Sequence, residues 1–380
     1  MPHRVAVFMG TRPEAVKMAP VAAALRAADD FEPVVINTGQ HREMIQQVID
    51  LFGIAVDDSL DTMQPNQTLA GLSARLIERI DAALGKWEPD FVLAQGDTTT
   101  VLCAALAAFY RGVPVGHVEA GLRTGNLRSP FPEEANRRLV SRIADLHFAP
   151  TTAARDALLA EGIAPQQAPL TGNTVIDALQ LELDRQRQAA VQAALHSELA
   201  ELVGPGFGNR PLMLITGHRR ENIGRGFDEI CTALAELAGE FSDALWIYPV
   251  HLNPRVKDVV HQRLGALDNV RLIAPLPYSQ FIALAAGSRL ILTDSGGVQE
   301  EAPTLGVPVL VMRDTTERPE GVAAGAVRLV GANAATITAA ARELLTDEAA
   351  YAKMTGIANP YGDGKAAERI LAAMREFLTR

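Results

Sequence analysis

The chain has 380 residues, 48% of them hydrophobic, which marks a globular protein with room for two or three domains. A net charge of −10 argues against a nucleic-acid partner, because a phosphate polymer needs a basic face. Two cysteines, Cys103 and Cys231, both in apolar helical segments, give neither a disulfide framework nor a metal cage and fit a reducing compartment. The opening MPHRVAVFMG runs straight into a strand without the pattern of a signal peptide, and no apolar run approaches a membrane span. A cytoplasmic location with no membrane partner is therefore expected.

In chain order, Val5 to Met9 is an apolar run that ends in Gly10-Thr11-Arg12-Pro13-Glu14, and apolar residues then recur at helical spacing to Ala28. Pro13 and Glu14 suit a first helical turn, so Arg12 stands at a strand-to-helix junction with Lys17 one turn on. Both cations are candidate phosphate holders. Val34 to Asn37 is the second strand, followed by Thr38-Gly39-Gln40-His41-Arg42 and a helix to about Phe52. Phe91 to Ala94 is a third strand, ending in Gln95-Gly96-Asp97 before a helix from Val101 to Tyr110. Asp97 is either a functional carboxylate or that helix's N-cap.

Val113 to Val118 is the fourth strand and runs into Glu119, which has no capping task there. A Gly-, Ser- and Pro-rich stretch, Gly125 to Pro132, has the composition of a lid and leads to Glu133-Glu134, ordinary first-turn acids of a helix to Ile143. Leu146 to Ala149 is the next strand. The βα alternation then pauses at Leu170 to Thr174 and gives way to one long polar helix, Val175 to Leu202. A second series follows, with strands Leu212 to Thr216, Leu245 to Val250, Val270 to Ile273, Leu290 to Thr293, Val307 to Met312 and Val327 to Val330. Asn359 to Gly364 breaks the chain before a last amphipathic helix.

Two βα series predict an α/β protein with two doubly wound, Rossmann-like parallel sheets. Ligands in such folds lie outside the carboxyl ends of the strands. The pause at Leu170 to Thr174 places the expected boundary between 173 and 174. At the strand ends stand Arg12, Asp97, Glu119 and Glu133 in the first domain, and His218, Ser295-Gly296-Gly297, Glu301 and Arg318 in the second. These sets are expected to face one another across a cleft. Ser295-Gly296-Gly297 reads either as an anion-binding turn before a helix or as a plain left-handed link. Glu301, on that helix, is a candidate acceptor for ribose hydroxyls or else part of a solvated face. No residue set has metal spacing and no Gly-x-Gly-x-x-Gly follows the first strand, so neither a metal nor NAD is expected.

The strings GTRPEAVKMAP, QGDTTT, HVEAGLRT, PFPEEANRR, GHRREN, LTDSGGVQEEAP, RDTTERPE and NPYGDG, in order along the chain, resemble the non-hydrolysing UDP-N-acetylglucosamine 2-epimerase family. The resemblance implies a GT-B architecture with the ligand between the domains and the last helix crossing back to the first, so that the division is 1–173 plus 362–380 against 174–361. It implies an isomerase that inverts C2 of UDP-GlcNAc to give UDP-ManNAc for cell-surface polysaccharides. The route would be anti elimination of UDP and re-addition to 2-acetamidoglucal, with no cofactor. The groups at Asp97, Glu119, Glu133 and His218 would be catalytic, with His218 protonated against the leaving phosphate beside Arg12 and the Ser295 to Gly297 amides. Glu301 would hold the ribose, Leu276 and Phe281 would neighbour the uracil, and Arg318 would contact the nucleotide. Some family members bind a second UDP-GlcNAc as activator through residues like Gln40, His41 and Arg42, with His251 a further candidate. Asn66 departs from the basic residue of the strongly activated members. A homodimer is implied as well. The competing readings are a retaining GT-B glycosyltransferase, a hydrolysing 2-epimerase and a non-catalytic UDP-sugar sensor.

Overall fold

A computed structural model describes residues 1–39, 42–64, 66–219 and 222–379. The chain forms two compact units, Met1–Leu181 with Tyr361–Arg380, and Glu182–Pro360. The first holds a six-stranded parallel sheet of β1 (His3–Met9), β2 (Phe31–Asn37), β3 (Asp58–Ser59), β4 (Phe91–Gln95), β5 (Val115–Val118) and β6 (Leu146–Phe148), in the order β3-β2-β1-β4-β5-β6. The second holds β7 (Leu212–Thr216), β8 (Leu245–Pro249), β9 (Val270–Ile273), β10 (Ser288–Thr293), β11 (Val309–Val311) and β12 (Val327–Leu329), in the order β12-β11-β10-β7-β8-β9. Counted within its own unit, each sheet has the doubly wound Rossmann order, with the strand order reversing between β1 and β4 in one and between β7 and β10 in the other. The strands form because apolar runs such as Phe91–Gln95 are buried along their whole length, as sheets covered by helices on both faces require.

Several sequence expectations shift. The two-residue edge strand β3 has no apolar run to announce it; its Asp58 carboxylate accepts from Lys86 Nζ at 2.8 Å and Trp87 Nε1 at 2.9 Å. The single helix expected over 175–202 is two, Thr174–Gln186 and Ala189–Val203, parted where Gln188 turns extended (φ −69°, ψ 124°). The units divide inside the first of these helices rather than at 173/174. Asp177 accounts for one side of that division, accepting from Ala366 N at 3.2 Å and Ala367 N at 2.8 Å and so capping the C-terminal helix Ala366–Leu378. Arg375 then pairs with Asp30 at 2.6 Å, and Phe377 meets Phe91 edge-on at 5.7 Å. On the other side, Glu182 is fully buried and accepts from Ser279 Oγ at 2.6 Å and Arg185 Nε at 2.8 Å. Both cysteines lie buried in helices, as expected.

His117 and His147 are register partners on β5 and β6, and both are fully buried. Burial pushes His117 down to about 4 and His147 to about 3, the latter helped by the neighbouring His117 and Arg123 charges. The unfolded chain takes up these protons first as pH falls, so their contribution is intact above the ordinary histidine value of 6.5 and drains away toward pH 4. The expected loss between pH 7 and pH 5 is about 2 kcal/mol per histidine. Urea unfolding across that range checks it: His147→Phe is expected to flatten the pH slope, and an unchanged slope refutes the assignment.

Candidate active site

Each unit gathers its polar strand-end residues at the point where its strand order reverses. In the first unit, β1 ends at Gly10-Thr11 and the helix Arg12–Arg26 begins, capped by Thr11 and by Glu14 reaching back. Glu14 Oε2 accepts from Gly10 N at 2.7 Å and Thr11 N at 2.8 Å, and Thr98 Oγ1 donates to its other oxygen. Burial pushes this carboxyl up, against those hydrogen bonds. The βα turn that would cradle a phosphate is thus filled by the chain's own carboxylate. Arg12 occupies the first helical position, half-buried.

Glu119 follows β5 with φ at +62°, a left-handed conformation that costs a non-glycine residue about 1–2 kcal/mol. Its buried carboxylate is held from three sides. Lys17 Nζ lies 2.6 Å from Oε1, Asn173 Nδ2 donates to the same oxygen at 3.4 Å, and Gln95 Nε2 donates to Oε2. Lys17, expected to hold a phosphate, has its ammonium buried against Glu119. Asp97 is not the N-cap of the following helix; that is Thr98, whose hydroxyl accepts from Val101 N. Arg137 instead donates to Asp97 Oδ2 at 2.9 Å through Nε and lies 2.7 Å away through its terminal nitrogen, while Asn136 donates to the Asp97 carbonyl at 2.8 Å.

The adjacent acids of PFPEEANRR divide the work. Glu134 is fully buried and accepts from Thr124 N at 3.1 Å, Gly125 N at 3.3 Å, Arg137 at 2.9 Å and Arg138 at 3.2 Å. Burial raises its carboxyl, but the Thr124 amide and the two arginines outweigh it and hold it below the usual range. Glu134 therefore anchors the 124–125 turn. Glu133 keeps one buried carboxylate oxygen without a hydrogen-bond partner among the described residues, a state that calls for an explanation.

In the second unit, β10 leads through Asp294-Ser295 into the helix Gly296–Leu305. Gly296 is already helical, not part of the preceding turn, and neither Gly296 nor Gly297 is left-handed, so the plain-link reading falls away. Ser295 is the N-cap and makes no side-chain cap bond. A Cβ on Gly296 would lie 2.9 to 3.1 Å from the Arg318 guanidinium, so glycine leaves room for a cation at the helix start. Uncapped amides, the helix dipole and a nearby guanidinium are the elements that suit an anion. Arg318 donates to Glu300 at 2.8 Å and lies 3.8 Å from Glu317. Glu317 is pushed up by burial but drawn down to about 2 by the Arg313 and Arg318 guanidinia.

Glu301 is buried and accepts from Tyr278 Oη at 2.7 Å, which removes the solvated-face alternative. The Leu276 side chain packs in a core cluster with Leu199, Leu212 and Leu245, and half-buried Phe281 packs against it. His218 follows β7. His218 N and Arg219 N donate to Asp294 Oδ2 at 2.9 and 2.8 Å, and the ring stacks on His251 at 5.4 Å. Burial lowers its proton affinity, with Asp294 opposing, so the protonated state expected of His218 is disfavoured in the free protein. Of the residues considered for a second substrate, Gln40 and His41 lie outside the described residues and Arg42 opens the helix Arg42–Phe52. His251 accepts from Asn253 N at 3.1 Å, and Asn66 adopts a left-handed φ of +54°.

Read along the sequence, Glu14 is only a first-turn acid, and Gln95, Asn136, Arg137, Asn173 and Asp294 carry no functional signal of their own. Most lie within or beside the quoted strings, but their roles arise from pairings across distant elements. Among the described residues no group of three or more His, Cys, Asp or Glu is placed to hold a metal ion, and no helix is long and apolar enough to cross a membrane.

Residues 23–375 match the sequence model of the family described as UDP-N-acetylglucosamine 2-epimerase. The UDP-N-acetylglucosamine 2-epimerase of Escherichia coli is 52% identical over 375 residues, covering 98% of each chain. The crystal structure of UDP-GlcNAc 2-epimerase from Neisseria meningitidis bound to UDP-GlcNAc superposes with a TM-score of 0.93 at 45% identity, over 98% of this chain and 100% of that one. The Methanocaldococcus jannaschii UDP-GlcNAc 2-epimerase, in complex with UDP-GlcNAc and UDP, gives 0.83 at 33% identity, over 98% and 99%.

Proposed function

Because this chain belongs to the UDP-N-acetylglucosamine 2-epimerase family, we propose that it interconverts UDP-GlcNAc and UDP-ManNAc by eliminating UDP and adding it back. The C2 proton has no neighbouring carbonyl to acidify it. Breaking the C1–O bond builds positive charge at C1 and makes that proton removable. UDP leaves with the bonding electron pair, a carboxylate takes the proton, and 2-acetamidoglucal is the neutral intermediate. UDP then re-adds at C1 while a proton is delivered to the opposite face of C2. The protein must therefore stabilise a departing diphosphate and supply an acid and a base.

The observation that carries this reading is the contrast between the two strand-order reversals. In one, Glu14 takes up the turn amides and carboxylates stand at the neighbouring strand ends; the other opens an uncapped, glycine-started helix beside Arg318. The diphosphate is assigned to Ser295, Gly296, Gly297 and Arg318, the ribose to Glu301, and C2 to Asp97 or Glu119, with Glu133 returning the proton. Glu119 is fixed by Lys17, Gln95 and Asn173, and the Glu133 oxygen still has capacity for a proton. A homodimer would cover Phe109, Tyr110 and Leu139, which stand exposed on helices that pack together. A cytoplasmic location accords with a nucleotide-sugar substrate.

Incubation of the purified protein with UDP-GlcNAc in D2O, with no acceptor, tests the reading. Deuterium at C2 in both UDP-GlcNAc and UDP-ManNAc is expected. Absence of exchange overturns it in favour of a glycosyltransferase or a sensor, and free ManNAc with UDP would mark a hydrolase.

A further inference from the structure

The turn between β10 and the diphosphate helix contains Asp294, a fully buried carboxylate with no part in the nucleotide grip or the C2 chemistry assigned above. Its Oδ2 accepts from His218 N at 2.9 Å, Arg219 N at 2.8 Å and Asn222 Nδ2 at 3.4 Å. Its Oδ1 has no hydrogen-bond partner among the described residues and lies 3.5 Å from His218 Nδ1. A desolvated carboxylate oxygen without a donor calls for a reason, and the adjacent imidazole supplies one. The surroundings constrain that ring further. Tyr248 Oη donates to the Gly217 carbonyl at 3.1 Å, fixing the same loop, and His251 stacks on the imidazole with only 16° between planes. β7 and β10 are sheet neighbours, so both turns leave adjacent strand ends.

We propose that Asp294 is a positioning residue for His218, drawing Nδ1 toward its free oxygen so that Nε2 is presented, protonated, to the diphosphate as it departs. The inference rests on the function proposed above and adds to it the group that sets the state of His218. An imidazole whose Nδ1–H faces a carboxylate is fixed in tautomer and orientation, and the imidazolium is stabilised when it forms. Among the described residues the charged or titratable groups facing this ring are Asp294, Arg219 and His251; Arg219 and His251 disfavour the proton along with burial, and Asp294 alone favours it. A diphosphate gaining charge would act in the same sense as Asp294, so the proton is drawn onto His218 when it is needed.

The test compares Asp294→Asn, His218→Gln, the double variant and Tyr248→Phe, which loosens the same loop without facing the ring. Asp294→Asn is expected to lower kcat about ten- to hundred-fold and to move the high-pH limb of the rate profile to lower pH. His218, followed by NMR of its ring, should titrate at lower pH in Asp294→Asn and unchanged in Tyr248→Phe. In the His218→Gln background, Asp294→Asn should cost less than about two-fold more. An unshifted His218 titration, or an undiminished cost in that background, overturns the proposal. A measurement on the wild-type protein covers an Asp294→Asn variant that does not fold. Ring ¹⁵N shifts are expected to place the proton of neutral His218 on Nδ1, and finding it on Nε2 overturns the proposal. Neither NMR reading requires turnover, so a wild-type protein that fails to epimerise would sink the proposed function and leave this assignment to be decided separately.

Discussion

Replacing Asp97 by Asn is expected to reduce turnover of UDP-GlcNAc by at least about a thousand-fold, the upper part of the range for loss of a general acid or base. The substitution keeps shape and removes charge and basicity. Arg137 retains its 2.9 Å contact to Glu134, and the Asp97 carbonyl still accepts from Asn136, so the turn has reason to stay in place. The groups assigned to the diphosphate and ribose belong to the other unit. UDP affinity, read by calorimetry, should therefore stay within a few-fold. The signature is a fall in kcat with nearly constant UDP binding, and unchanged turnover would remove Asp97 from the mechanism.

The second large effect is on stability. Gly121, two residues beyond Glu119, has φ at +94°, and a Cβ there would stand 2.1 Å from the Ala154 carbonyl oxygen. That neighbour is helical backbone and cannot swing aside as a side chain would. Gly121→Ala combines a forbidden overlap with an unfavourable backbone region and is expected to cost roughly 3–5 kcal/mol. For a unit of this size that corresponds to a melting temperature lower by about 10 °C or more. Gly125→Ala makes the control, because φ there is +79° but nothing lies within 4 Å of the added carbon. It should lose only the backbone share, about 1 kcal/mol. Equal losses at both positions would show that the Ala154 contact does not decide the matter.

What could be read from the sequence follows from where the physical signal is local. Parallel strands buried on both faces are written as apolar runs, so eleven of the twelve strands among the described residues are legible in the sequence, and their ends point to Asp97, Glu119, His218 and Ser295. Edge strand β3 is written as Asp-Ser and carries no such signal. Gly296 looked like part of a turn because glycine usually permits one; in fact it makes room for Arg318, a residue remote in sequence. The same limit hid the supporting groups. Asp97 meets Arg137 forty residues away, Glu14 meets Thr98 across eighty-four, and His218 meets Asp294 across seventy-six. A chain read in order shows the side chains that stand at strand ends, but not which distant partner each will find there.

The return of the last segment to the first unit bears on how the protein is made. Helix Ala366–Leu378 is capped by Asp177 and bound to Asp30 and Phe91, so the unit that begins at Met1 lacks a wall until that helix has been translated. Glu182–Pro360, by contrast, is one uninterrupted stretch. At about 5–20 residues per second, the amino-terminal sheet waits some ten seconds or more, incomplete, while the later unit is synthesised. The unit synthesised second can therefore finish folding first, and a chain cut before Ala366 would spare the Glu182–Pro360 unit while leaving the first unit unfinished.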